Sequence, residues 1–167
     1  MALAFRDINV SEATLIDLVG FDPTPKQGNI WGNPHLAFVG NIDGRQMRTG
    51  YGVYWDPIAK AARHYRDAKA FTSWTTTQVT QEISQGNPVI IWSYSKGGVP
   101  TTWFTPDGQE IFAASGEHTF IVKGFVGPVS NPLQIILNDP LIGEIYWSRQ
   151  HFESMWSLFG NSGVVVY

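Results

Sequence analysis

One histidine and one aspartate in the second half of the chain have the types and spacing of a general base and its orienting partner. His118 begins an apolar stretch, directly after a glycine and the carboxylate of Glu117. A second apolar stretch ends at Asp139, which the following Pro140 biases away from the helical region. Consecutive antiparallel strands would bring His118 and Asp139 together, and an aspartate on one ring nitrogen fixes the tautomer and orientation of a histidine for base catalysis. The alternative is an Asp-Pro turn beside an ordinary histidine at a strand edge.

The other three histidines are interpreted as structural. We expect His35 to be exposed in a loop, His64 to lie on the outer side of a helix and His151 to lie in the first turn of the last helix. No two histidines are three or four residues apart and thiolates are lacking, so a zinc site is disfavoured. The sequence therefore predicts no metal ligands and no cofactor.

A nucleophile is harder to find than a base. The 167 residues contain no cysteine, which excludes a disulfide framework, a thiolate metal site and a thiol nucleophile among them. A His–Asp pair has no nucleophile of its own. Among the hydroxyls, Ser11 is better interpreted as a helix cap, and Thr119 adjoins His118 but points to the opposite face of its strand.

Composition narrows the class of protein. The chain is 43% hydrophobic, contains seven tryptophans and is only 15% charged, so intrinsic disorder is disfavoured and a single domain with a sizeable core is expected. The net charge of −3 disfavours a nucleic-acid-binding protein, since such proteins usually have a strongly basic surface. The longest apolar runs, such as 88–92, are far shorter than the ~20 residues that span a bilayer.

The elements that would position His118 and Asp139 follow from periodicity and turn residues. Residues 22–34 are rich in glycine and proline and predict a loop, and Pro106-Asp107-Gly108 predicts the turn of a hairpin. Helices are expected at 12–19, 56–66, 75–85 and 149–159, and strands at 89–94, 101–105, 109–113, 118–125, 134–138, 144–147 and 163–167. Because helices mostly precede strands, the order predicts an α+β fold with an antiparallel sheet and not a doubly wound fold.

The first residues have the character of a helix without its beginning. Residues 1–5 are helix formers with apolar Leu3 and Phe5, yet no Ser, Thr, Asp or Asn precedes them to cap the first turn. They are also too short for a secretory signal. We expect either the tail of a helix that starts upstream of Met1 or a short frayed terminus.

Several motifs, in order and at plausible spacing over nearly the whole chain, resemble a known family. It is the group of bacterial cysteine peptidases related to the bacteriocin-leader (double-glycine) peptidase domain, which have a papain-like fold. The most specific motifs are the segment 86–92, Gly116-Glu117-His118 and Leu137-Asn138-Asp139-Pro140, accompanied by 31–34 with Gly40, by 51–54 and by the ending 163–166.

The resemblance implies a single papain-like peptidase domain over 1–167 with a Cys–His–Asp site. His118 would be the general base and Asp139 its orienting partner, while the nucleophilic cysteine would begin an N-terminal helix upstream of Met1 and is missing here. The chain as given would then be inactive. Loss of that central helix should also leave an apolar groove, which a ligand or a segment of another chain could fill, giving an oligomer.

Three functions remain open at this point. The complete form could be a thiol hydrolase of peptide or amide bonds. The chain could instead be a pseudo-enzyme that binds peptide or peptidoglycan-like cell-wall material, with Trp31, Trp92, Trp103 and Trp147 as stacking surfaces, although burial in a core explains them equally well. A hydrolase with a serine or threonine nucleophile is the third. A secreted or cell-envelope location, with any signal upstream of Met1, is suggested only by composition and by the resemblance.

Overall fold

Two long antiparallel strands, β4 (Val89–Phe104) and β5 (Glu110–Val126), form the centre of the fold. They belong to a computed structural model, which describes residues 1–94 and 98–167. A tight turn joins them: the Thr105 hydroxyl accepts a hydrogen bond from the backbone of Gln109 at 2.9 Å, and Gly108 has a φ of +88° that favours glycine. The turn therefore falls at the predicted Pro-Asp-Gly motif.

A six-stranded sheet surrounds this pair, and all its neighbouring strands are antiparallel. Its order is β3 (Ala68–Phe71), β8 (Gly163–Val166), β4, β5, β6 (Gln134–Asp139) and β7 (Gly143–Ser148). A separate parallel pair is formed by β1 (Phe21–Asp22) and β2 (Phe38–Val39). The predicted α+β class with an antiparallel sheet is confirmed.

The described residues form four α-helices: α1 (Glu12–Val19), α2 (Trp55–Ala62), α3 (Thr76–Ser84) and α4 (Arg149–Trp156). The last three pack on the sheet, and α1 packs on α2. Capping residues determine where three of them begin, since the side chains of Ser11, Thr75 and Ser148 each accept a hydrogen bond from a backbone N–H of the first turn. Short 3-10 turns follow α4 at Ser157–Phe159 and precede α1 at Ala4–Arg6.

The sheet separates two hydrophobic clusters because successive residues of its strands point to opposite faces. On one face, Trp92 packs with the fully buried Trp31 and Trp103. On the other, Ile91 and Leu137 pack with Phe152, Trp156 and other buried side chains. The α2 helix covers the first face and α4 the second, so the strands that carry His118 and Asp139 are held from both sides.

The expected elements differ from the observed ones at a few places. The strands expected at 89–94 and 101–105 form one continuous strand, as do those expected at 109–113 and 118–125. The short strand β3 was missing from the prediction, and α2 ends at Ala62, before the expected end at 66. Continuous pairing of β4 with β5 explains the first difference, because the hairpin extends through the register shift between Tyr94 and Val99.

Candidate active site

His118 and Asp139 are brought together by the pairing of β5 with β6. Ile121 pairs with Asn138 in this ladder, which places the end of β6 beside the first half of β5. His118 Nε2 lies 2.9 Å from Asp139 Oδ1, and both side chains are largely buried, with 18% and 10% of their surfaces exposed. Because the carboxylate holds Nε2, the other ring nitrogen, Nδ1, is the one available to a reactant.

Asp139 is fixed by the turn that follows β6. Its Oδ1 also accepts a hydrogen bond from the backbone of Leu141 at 2.7 Å, across the proline that ends the strand. Burial alone raises the pKa of this carboxyl, but hydrogen bonds from His118 and from the backbones of Leu141 and Ile142 outweigh burial and hold the pKa below its usual value. Asp139 therefore presents an anion to His118 at neutral pH.

The His118 ring is positioned by aromatic packing. It lies edge-on to Phe120, with 4.7 Å between ring centroids, and Phe120 packs on Trp147 at 5.0 Å. Phe120 follows two residues later on β5, so the two rings share a strand face. These contacts, together with the hydrogen bond to Asp139, hold the imidazole in place.

A break in the strand pairing lies directly before His118. Tyr94 pairs with Glu117, but the next pair along is Val99 with Ser115, so the register shifts around Gly116. The φ of Gly116 is +76°, a conformation that favours glycine. Gln46 spans this position, accepting from the Gly116 backbone N–H at 2.8 Å and donating to the Glu117 carbonyl at 2.9 Å. Irregularities of this type often re-aim side chains at functional sites.

His118 lines a cleft of about 830 Å³, a size typical of sites that bind small ligands and short peptide segments. Tyr51, Gly52 and Trp92 contribute to its lining beside the histidine. Leu141, from the turn after Asp139, also lines it and is 81% exposed. The pair of His118 and Asp139 therefore opens onto a concave surface.

Glu117 also lines this cleft. Burial raises the pKa of its carboxyl to about 8, while a hydrogen bond with the Thr119 side chain acts in the opposite direction. Beneath it, burial also raises the pKa of Tyr51 and Tyr54, whose hydroxyl oxygens lie 2.9 Å apart. A strongly perturbed carboxyl next to a candidate base is typical of functional sites.

Comparison with known proteins identifies the family of the chain. The model of the Peptidase_C39 like family matches residues 1–164. The chain belongs to that family. It is 28% identical over 172 residues to the uncharacterized protein YvpB of Bacillus subtilis (strain 168), covering 99% of this chain and 65% of that protein's length.

A solved structure shows the same fold as this C39-like chain. It is the crystal structure of a candidate C39-like peptidase from Bacillus anthracis, with a TM-score of 0.83 and 24% identity, covering 99% of this chain and 84% of the other. At this identity the likeness concerns the fold, and it confirms the expected peptidase-like α+β architecture. The chain spans about 65% of the length of its curated relative, so the activity and partners of a whole protein belong among the proposals below.

Neither hydroxyl considered as a nucleophile contacts His118 in this C39-like fold. The Ser11 side chain caps α1, accepting from the Thr14 backbone and hydrogen-bonding the Thr14 hydroxyl. The Thr119 side chain is engaged with Glu117. Among the residues that the structure describes, the ring of His118 hydrogen-bonds Asp139 alone.

A second, apolar cavity of about 170 Å³ adjoins the cleft. Met1, Ile58 and Ile90 line both, and the cavity continues between α1, α2 and the sheet. Its lining consists of apolar side chains, among them Leu15 of α1 and Ile121 of β5. The groove expected from loss of an N-terminal helix stays a prediction, as does its occupation by a second copy of the chain, which light scattering can test.

The remaining sequence predictions have mixed outcomes. His64 and His151 are exposed, but the expectation that His35 is exposed is wrong: its ring packs edge-on to Tyr54 and Trp55, and burial lowers its pKa. Trp31, Trp92 and Trp103 are buried, and each indole N–H donates to a backbone carbonyl.

Neither a metal-binding cluster nor a membrane-spanning helix is found among the described residues. Within residues 1–94 and 98–167, no group of three or more His, Asp or Glu side chains could hold a metal ion. In the same part of the chain, the helices are too short or too polar to cross a bilayer.

Sequence reasoning missed Gln46 and Glu117 as site residues. Glu117 could have been found, because it stands directly before His118. Gln46 is 71 residues away from Glu117 along the chain, in a glycine-rich segment with no periodicity, and nothing in its surroundings indicates the contact.

Proposed function

We propose that residues 1–167 form, as a single peptidase-like domain, the substrate cleft and the base of a site that hydrolyses peptide or amide bonds by Cys–His–Asp chemistry. The observation that carries the proposal is the 2.9 Å contact of His118 Nε2 with Asp139 Oδ1 beside an open cleft. Family membership supports it, because the matched model covers nearly the whole chain. His118 would be the catalytic base and Asp139 its positioning residue.

In such a site His118 Nδ1 removes the proton of a thiol, and the thiolate sulfur attacks the carbonyl carbon of the substrate. The tetrahedral intermediate then collapses to a thioester as the C–N bond breaks, and the imidazolium returns its proton to the leaving amine. Water, deprotonated by the same nitrogen, hydrolyses the thioester and restores the thiol. Asp139 keeps the ring oriented and stabilises its positive charge throughout.

The thiol itself has to come from outside residues 1–167, which contain no cysteine. Removing one member of a catalytic triad typically eliminates most of the rate enhancement and leaves a small residual. We therefore expect the 167-residue chain alone to show no cysteine-peptidase activity, even though its base pair is assembled.

The native protein provides the test. Its intact mass and N-terminal sequence should be determined after purification from its source. A mass above 18.6 kDa, with a cysteine before Met1, supports the proposal if a thiol alkylator and His118→Ala each abolish hydrolysis of a peptide library. His151→Ala is the matched control, because His151 is exposed and outside the cleft. A mass of 18.6 kDa, or activity that survives His118→Ala, contradicts the proposal.

A second candidate is a binding module that holds peptide or peptidoglycan-like material without cleaving it. The observation that favours it is a ligand-sized cleft in a chain whose 167 residues carry no thiol. Under this alternative His118→Ala leaves ligand affinity largely unchanged, whereas hydrolysis is not detected in the native protein.

A further inference from the structure

The cleft beside His118 contains a carboxylate that the hydrolytic chemistry does not use. Glu117 pairs with Tyr94 across the ladder and points to the opposite face of β5 from His118. Its carboxylate lies over Gly52: a Cβ atom at position 52 would be only 3.3 Å from Glu117 Oε2. Glycine at position 52 therefore keeps open the space in front of this carboxylate.

Among the described residues, the hydrogen-bond partners of the Glu117 carboxylate are neutral. These are the Thr119 side chain and the Gln46 amide, whose Nε2 lies 3.5 Å from Oε2. The ion pairs formed by lysine and arginine among the described residues join Lys123 to Glu144 and Arg149 to Glu153. None of them reaches the cleft.

The ionisable side chains around the cleft are mostly acidic. Within the described part of the chain, its lining contains the carboxylates of Glu12 and Glu117 and no lysine or arginine, and His118 is its one basic side chain. His118 is already hydrogen-bonded to Asp139. Without a cation Glu117 is mostly protonated at neutral pH, because burial raises its pKa to about 8, and an ammonium group that hydrogen-bonds the carboxylate favours its ionised form.

We propose that Glu117 forms a subsite for the ammonium group of a peptide substrate, from either a lysine-like side chain or a free amino terminus. The inference rests on the proposed function, since it assumes that the cleft binds peptide beside His118. The Glu117 carboxylate accepts hydrogen bonds from the ammonium, Gly52 leaves the room for it, and Gln46 holds the backbone of Glu117 in place.

Binding to the 167-residue chain tests the subsite without requiring catalysis. Calorimetric titrations would compare a capped pentapeptide with lysine at its centre, the same peptide with norleucine there, and the norleucine peptide with a free amino terminus. Norleucine keeps the apolar stem of lysine and removes the charge. Each would be measured on wild type, on Glu117→Gln and on Glu110→Gln, a control on the same strand that is exposed and outside the cleft.

We expect wild type and Glu110→Gln to bind the lysine peptide, the free-amino-terminus peptide or both about tenfold more tightly than the capped norleucine peptide. A difference of about tenfold corresponds to one charge-assisted hydrogen bond. Glu117→Gln should reduce that preference to within about twofold. A preference for the lysine peptide identifies a side-chain subsite, and a preference for the free terminus identifies an amino-terminal one.

The contrary outcomes are distinguishable. Equal binding of charged and neutral peptides to wild type, or a preference that persists in Glu117→Gln, overturns the subsite and leaves the peptide cleft standing. If no peptide binds, the cleft is not a peptide site for this chain, and both the subsite and the proposed function are contradicted. The wild-type comparison holds even if the variant folds poorly.

Discussion

Glu117→Gln should also change how the stability of the chain depends on pH. The pKa of Glu117 rises from 4.5 to about 8 on folding, so between these values the folded state binds more protons than the unfolded state. The free energy of unfolding therefore falls as pH rises through this range. A neutral glutamine lacks this dependence, so the variant should gain stability relative to wild type as the solution becomes more alkaline.

The magnitude follows from the size of the pKa change. At 1.36 kcal/mol per unit the full shift corresponds to about 5 kcal/mol as an upper limit. Glu117 keeps some contact with solvent at the cleft, which screens its charge, so we expect about 2 kcal/mol. For a chain of this length that corresponds to roughly 4–8 °C in Tm.

Urea unfolding at pH 5, 6, 7 and 8.5 measures the effect, with Glu110→Gln as the exposed control on the same strand. His35 contributes an opposite trend, because its lowered pKa means that stability is lost as pH falls through the histidine range. That contribution is common to all three proteins and cancels in the difference. Parallel stability curves for wild type and Glu117→Gln would refute the burial argument, and a shift shared with Glu110→Gln would assign the effect to net charge.

Three other substitutions test the packing around the site. Asp139→Asn should lower the free energy of unfolding by about 1 kcal/mol at pH 6. This difference from wild type should vanish as pH falls through the lowered pKa of Asp139, because the wild-type carboxylate is then protonated. Urea unfolding from pH 2 to 6 measures it. Leu137→Ala should lower the free energy of unfolding by about 2–5 kcal/mol, since Leu137 is fully buried; a loss under 1 kcal/mol would mean that the second cluster repacks. Gly163→Ala should lower the free energy of unfolding by about 1–3 kcal/mol, because the added Cβ would lie 2.4 Å from the carbonyl oxygen of Ile90 and 2.5 Å from the Phe71 ring. Thermal unfolding measures the loss, and an unchanged Tm would show that β4 and β8 separate without a loss of stability.

Much of the fold could be predicted because local sequence and final structure agree. The expected range of α1 matches the observed helix, since Ser11 caps its start and Gly20 ends it. The turn at Gly108 was predicted from its proline and glycine residues. By contrast, β3 has only four residues and depends on pairing with β8, which is distant in the sequence. Local patterns cannot reveal such an element, because its stabilisation is entirely non-local.

The candidate site likewise has features that the sequence predicts and features that it does not. His118 and Asp139 could be paired from sequence because His118 was expected to begin one strand and Asp139 to follow the end of the next, and antiparallel pairing brings those ends together. The prediction that His35 is exposed was wrong because its ring packs against Tyr54 and Trp55. Assigning the segment to a loop does not reveal these contacts. The perturbed state of Glu117 depends on burial by residues far along the chain, so composition and motif alone could not predict it.

The two candidate functional residues of β5 are neighbours in sequence and yet lie on opposite faces of the strand, and this determines what the cleft can select. Adjacent Cα atoms are about 3.8 Å apart, but the side chains point to opposite faces of β5, so Glu117 and His118 address different positions of a peptide bound in the cleft. Both residues nevertheless line the same cleft. A peptide whose carbonyl faces His118 would therefore place an ammonium at Glu117 only if that group belongs to a residue close to the reacting bond. Moving the lysine stepwise along the capped pentapeptide should consequently give one or two positions of tight binding, and uniform affinity at all positions would contradict this geometry.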